Sequence, residues 1–135
     1  FAPRWTLGGL VAFHTAHKLA VLAHTTDGYR RLGRLVADAK GMDRAELREA
    51  YTAELMRSMT LLATPKKHAN VLMHMLGYFR GQIDVGDRDE LLTAIDEFRV
   101  GRLSRLVPLT LIRHHVRRCQ VVYLAGQTYL SEVDW

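Results

Sequence analysis

Four residues in the middle of the chain have the types and spacing to do chemistry. Lys67, Asn70, His74 and Tyr78 recur at i, i+3, i+7 and i+11. At about 100° per residue that spacing lays a cation, an amide, an imidazole and a phenol along one face of a helix. Val71, Leu72, Met75, Leu76 and Phe79 fall on a separate, apolar arc. A face needed only for solubility would carry interchangeable Glu and Lys, so directional donors and rings read as a binding face. A merely solvated mixed face is the competing reading. His68 projects into the apolar arc, where a core histidine bonded to a backbone carbonyl is expected.

Two other groups share this character. His14, His17 and Lys18 lie on one narrow face of an otherwise apolar stretch, and Thr110, Arg113, His114 and Arg117 lie on one side of a later one. The bland alternatives are an internal hydrogen bond for His14 and His17, and a basic last turn matched to the helix dipole for Arg113 and Arg117. Cys119 follows two arginines that would favour its thiolate. It also continues the apolar stripe of Ile112 and Val116, which points to a buried, inert thiol. Gly8-Gly9 lacks the length and the following Lys-Ser/Thr of a phosphate loop.

The elements that carry these residues all read as helices. Leu10 to His24 is apolar around most of its circumference and should be central and buried. Thr25 to Gly28 is a capped turn, followed by a helix from about Tyr29 to Ala39 that Gly41 ends. Asp43 with Glu46 resembles a capping box opening a long helix, Arg44 to about Ala63, whose charged residues, Glu54 and Arg57 among them, look like a solvated face. Thr64 and Pro65 start the central helix, which runs to about Gln82. Asp87 with Glu90 repeats the capping-box pattern before a helix closed by Gly101. Gly101 to Arg105 is a basic connector, Pro108 starts a helix to about Arg118, and Val121 to Leu130 holds a short last one. Phe1 to Thr6, with Pro3 and Trp5, reads as a docked tail, and Ser131 to Trp135 as a terminal one. No alternating strand pattern, repeat or linker intervenes. The reading is one all-α domain over residues 1–135, a bundle of six or seven helices.

Composition narrows the function. The chain has 135 residues, 48% of them hydrophobic, with a formal charge of +5 and a pI near 9.7. Arginine supplies 15 of its 19 basic residues, and the planar guanidinium suits phosphate. One cysteine excludes an internal disulfide framework or a self-contained Cys-based cluster and suits a reducing cytoplasm. No apolar run approaches the ~20 residues of a membrane span. A chain that begins at Phe1 without Met reads as a piece of a longer polypeptide.

Three blocks then resemble the YbgA-like domain family. Phe13-His14-Thr15-Ala16-His17-Lys18-Leu19 with Tyr29 to Val36 resembles its opening. Lys66-Lys67-His68-Ala69-Asn70-Val71-Leu72 with Leu76-Gly77-Tyr78-Phe79 resembles its central motif, and Val107 to His114 its closing one. In that family the helical domain stands alone or follows a domain similar to thiouracil desulfidases, known as TudS. The fused proteins are implicated in removing sulfur from 4-thiouridine in tRNA, with a [4Fe–4S] cluster in the desulfidase half. The resemblance therefore implies a tRNA-binding companion domain without a cofactor of its own, partnered by a desulfidase in the same or another polypeptide.

The two lines of reading converge on one surface. His14, His17, Lys18, Lys66, Lys67, Asn70, His74, Tyr78, Thr110, Arg113, His114 and Arg117 are expected to line a groove. Cations would hold phosphates there, while Asn70, Tyr78 and the histidines engage an unpaired base. Two other classes stay open. One is a protein-interaction domain that docks the desulfidase or another nucleic-acid repair enzyme. The other is a metal-dependent hydrolase using His14, His17 and His74, a donor set that lacks the carboxylates usual in helical-bundle metal sites.

Overall fold

Thr25 ends one helix and begins the next. Its backbone N–H bonds to the Val21 carbonyl, while its Oγ accepts from Gly28 N at 3.3 Å. Side-chain caps recur at Thr6, Asp43, Thr64 and Asp84, because helix starts leave N–H groups that a short oxygen side chain can satisfy. The computed structural model describes residues 1 and 4–131. The sequence reading of Pro3 and of the last four residues lies outside them. The described residues form eight α-helices and no strand, so the protein is all-α. The chain divides into two compact units, residues 1–63 and 64–135.

The first unit holds α1 (Leu7–His24), α2 (Thr26–Ala37) and α3 (Arg44–Met59), each packed on the other two, with a 3₁₀ turn at Ala39–Gly41. Its core is Leu10, Val21, Leu32, Ala39, Leu47 and Tyr51. Helix α1 starts three residues earlier than its apolar pattern suggests, because Thr6 Oγ accepts from Gly9 N at 3.0 Å and caps a first turn that contains two glycines. Its burial is uneven. Leu19 to Ala23 are buried, but Val11 and Phe13 are each 45% exposed, so the helix is not buried all round.

Helix α2 also starts earlier, and α3 opens as expected, with Asp43 accepting from Glu46 N at 3.2 Å. It stops at Met59, short of Ala63, where the Thr60 hydroxyl donates to the Arg57 carbonyl and His24 Nδ1 lies 2.7 Å from the Leu61 carbonyl. Glu54 is not merely solvated. Its carboxylate meets Arg57 at 2.6 Å and Arg31 of α2 at 3.6 Å, and its side chain is 16% exposed. The bond from Arg57, reinforced by the charge of Arg31, holds its pKa below the usual carboxylate value against the opposing effect of burial.

The second unit holds α4 (Pro65–Leu76), α5 (Val85–Arg99) and α6 (Leu106–Cys119), again packed pairwise, with the single-turn helices α7 (Val122–Ala125) and α8 (Thr128–Ser131). Thr64 caps α4 and Pro65 occupies its first turn. The helix gives way at Gly77 to a 3₁₀ turn through Phe79, and Gly81 with φ 77° ends the run before Gln82. Asp84, not Asp87, caps α5, accepting from Asp87 N at 2.7 Å. The acid three residues earlier takes the position, and Asp87 falls inside the first turn. Pro108 sits two residues inside α6, still within the turn whose N–H groups have no helical acceptor. The expected last helix is two short ones broken at Gly126 and Gln127.

Candidate nucleic-acid interface

Charge is segregated by element in the second unit. Every acidic residue between 64 and 131 falls between Asp84 and Glu97, on or just before α5. Helices α4 and α6 carry none. Lys66 is exposed and Lys67 half-buried on α4, and Arg117 and Arg118 are exposed at the end of α6. Neither helix carries a carboxylate to neutralise these cations; the acids of the unit lie on or just before α5, which packs on both.

The expected α4 face exists in its outward part. Asn70, His74 and Tyr78 are all exposed. Tyr78 belongs to the 3₁₀ turn rather than to the helix, yet its ring stays 5.9 Å from that of His74. On its other side it stacks on Tyr123 of α7, with centroids 5.1 Å apart and planes 25° apart. His74, Tyr78 and Tyr123 thus form a run of three rings reaching from α4 to α7. Tyr123 was not legible from spacing, since nothing in α7 is in register with α4.

On α6, Thr110, His114 and Arg117 are exposed. Thr110 Oγ donates back to the Leu106 carbonyl at 2.6 Å, a bond internal to the helix. Arg113 is half-buried and donates Nε–H to the Leu130 carbonyl at 2.7 Å, tying α6 to α8. His115, the neighbour of His114, is buried against Phe79, and its Nδ1 has no hydrogen-bond partner among the described residues. Cys119 is half-buried, its Sγ 3.8 Å from the Gln82 carbonyl.

His68 is buried as expected, but its hydrogen bonds reach side chains. Nδ1 lies 2.7 Å from the Tyr129 hydroxyl, and Arg105 Nη1 lies 2.8 Å from Nε2. A guanidinium only donates, so a neutral imidazole accepting at Nε2 satisfies this arrangement. Burial drives the Tyr129 phenol far above its usual range and lowers Arg105, an effect Tyr129 partly offsets. Arg105 therefore anchors the core of the unit and is more than a connector residue.

His14, His17 and Lys18 belong to the first unit, and the other nine expected site residues to the second. His14 is buried, with Nδ1 3.1 Å from the Tyr51 hydroxyl. Burial first, then the charge of Lys18, lowers its pKa, and burial pushes the Tyr51 phenol up to about 12. His17 packs on Phe13, centroids 4.2 Å apart. Among the described residues no three His, Cys, Asp or Glu side chains gather as a metal site would require. No helix among the described residues is long and apolar enough to cross a membrane.

Residues 18–133 match the model of a family described as a protein of unknown function, DUF1722. The chain is also 39% identical over 129 residues to the uncharacterized protein YbgA of Escherichia coli (strain K12), covering 93% of this chain and 75% of that protein. The chain belongs to the YbgA-like family. The matched span takes in α2 to α8 entirely, and with them the acid-free helices and the ring run. His14 and His17 precede the span of the family model. No solved structure matches.

Proposed function

We propose that this YbgA-like domain binds RNA, and that it positions tRNA for a fused or partner desulfidase acting on 4-thiouridine in the reducing cytoplasm. The observation that carries the RNA reading is the pairing of two acid-free basic helices with the exposed rings of His74 and Tyr78 and the half-buried ring of Tyr123 stacked on Tyr78. Lysine and arginine neutralise phosphates without reading sequence. Exposed rings stack on unpaired bases, the usual handle for RNA recognition. Asn70, exposed one turn before His74, can read a base edge. The tRNA and desulfidase part rests on the three family-like blocks. A [4Fe–4S] cluster needs several thiolates, and this chain offers Cys119 alone, so the sulfur chemistry belongs to the partner domain.

A second reading, docking of the desulfidase itself, is favoured by a shallow cleft of about 520 Å³ between α5 and α6, whose apolar floor of Ala94, Leu103, Val107 and Leu111 is bordered by Asp89, Glu90 and Thr93. A titration with total tRNA at low and raised salt separates the two. In the RNA reading, binding weakens with salt and is largely lost in Lys66→Ala/Lys67→Ala/Arg117→Ala. Absent tRNA binding, together with a Val107→Glu change that breaks association with the desulfidase, would replace it with the docking reading.

A further inference from the structure

The first unit holds a cavity of about 500 Å³ that the RNA-binding face does not use. Its size suits a small-molecule site. Four rings line it, those of Phe1, Trp5, Phe13 and Tyr51, and Arg4 lines it as well. The rings meet edge to face: Phe1 lies 4.8 Å from Trp5 and 6.1 Å from Tyr51, and Phe13 lies 6.5 Å from Tyr51. Phe1 and Phe13 are 42% and 45% exposed, so ring surface stands open to a ligand.

Behind Trp5 lies a second cleft, lined by Arg44 and Arg48. The Arg44 guanidinium sits 5.1 Å over the Trp5 ring and that of Arg48 sits 5.9 Å over Phe1. Arg4, Arg44 and Arg48 form no ion pair among the described residues. Glu49 shares the outer cleft and leaves the three guanidiniums in excess.

We propose that this cavity takes an unstacked nucleobase of an RNA chain, with the flanking phosphates on Arg4, Arg44 and Arg48. The inference rests on the RNA-binding reading and adds to it a base-sized site on the first unit. A purely apolar ligand would fill the rings and leave the guanidiniums unused. A bare anion would do the reverse. A base with its phosphate uses both, through stacking and charge-assisted hydrogen bonds.

The test uses the full chain carrying Trp135→Phe, which leaves Trp5 as the sole tryptophan reporter. A short single-stranded oligouridylate is titrated against its fluorescence, with inorganic phosphate as control. Quenching of Trp5 is expected, about tenfold weaker in affinity in Phe13→Leu, which keeps apolar bulk but removes the π face, the loss expected for one stacked base. Arg48→Gln should weaken it most at low salt and make its fall with salt shallower, and circular dichroism of each variant verifies the fold. Trp5 that does not respond, or an unchanged affinity in Phe13→Leu while tRNA still binds the α4 and α6 cations, overturns the cavity inference and leaves the RNA reading standing. Equal quenching by phosphate also overturns it, since an anion alone would then suffice. Quenching by oligouridylate with tRNA binding indifferent to Lys66, Lys67 and Arg117 upholds the cavity and removes the α4 and α6 face.

Discussion

Gly28 is where a single atom decides the packing of α2 on α3. A Cβ built there would lie 2.0 Å from Ser58 Oγ, 2.9 Å from Ser58 Cβ and 2.6 Å from Thr25 Cγ2. Ser58 is fully buried and cannot swing into solvent. Gly28→Ala should therefore destabilise the protein by about 2–3 kcal/mol, the upper part of the range for overpacking. Ser58→Ala in the same chain should restore part of that loss in urea denaturation. At His14 the residue scale sets a pH response. Its folded pKa lies below the ordinary imidazole value, because burial and Lys18 disfavour the cation. The unfolded chain therefore binds the proton first on acidification, and stability falls as pH drops through the unfolded value. Glu54, with a lowered carboxylate pKa, stays ionised there. The urea midpoint should fall between about pH 7.5 and about 5.5, on either side of the imidazole range, and fall less in His14→Gln, which cannot charge.

Helix termini govern the element scale. Gln120 closes α6 in the left-handed region, φ 55° and ψ 47°, where a side chain costs energy and glycine does not. Gln120→Gly should raise stability by about 0.5–1 kcal/mol, measured as a higher urea midpoint with an unchanged slope. At the other end of the unit, Thr64 Oγ accepts from Lys67 N at 3.3 Å. Thr64→Ala should cost about 1 kcal/mol and weaken tRNA binding along with stability, because Lys66 and Lys67 stand in the turn it caps. Thr64→Ser, which keeps the oxygen, should restore both. The chain reads its helices through such caps. Thr64 and Asp43 are legible because each caps a helix that starts where the sequence pattern puts it, whereas Thr25 caps a helix that starts before the expected Tyr29. Asp84 and Thr6 were passed over because Asp87 offered a competing cap and two glycines disguised a first turn.

At the scale of the whole molecule, charge is the property that reaches furthest. The formal charge of +5 would be unremarkable if mixed evenly, but residues 64–131 confine their acids to Asp84–Glu97. Counterion release then predicts a linear fall of log K with log salt for tRNA. Neutralising Lys66, Lys67 and Arg117 should make that slope shallower by about 2. A variant that weakens binding without changing the slope would mean that the three cations do not meet phosphates.

The amino-acid sequence by itself determined that the protein is helical, where α3 and α4 begin and which family it belongs to. Those properties are local: a 3.6-residue apolar period, capping oxygens and contiguous motifs are written along the chain. Which polar residues serve the core and which the surface was decided only by tertiary structure. Arg113 ties down the Leu130 carbonyl, Arg105 reaches His68 and Tyr129, and Tyr123 stacks on Tyr78. Partners 17 to 61 residues apart leave no periodic trace. The same side chain can face water or close a core, and only the packing of its helix against its neighbours selects between them.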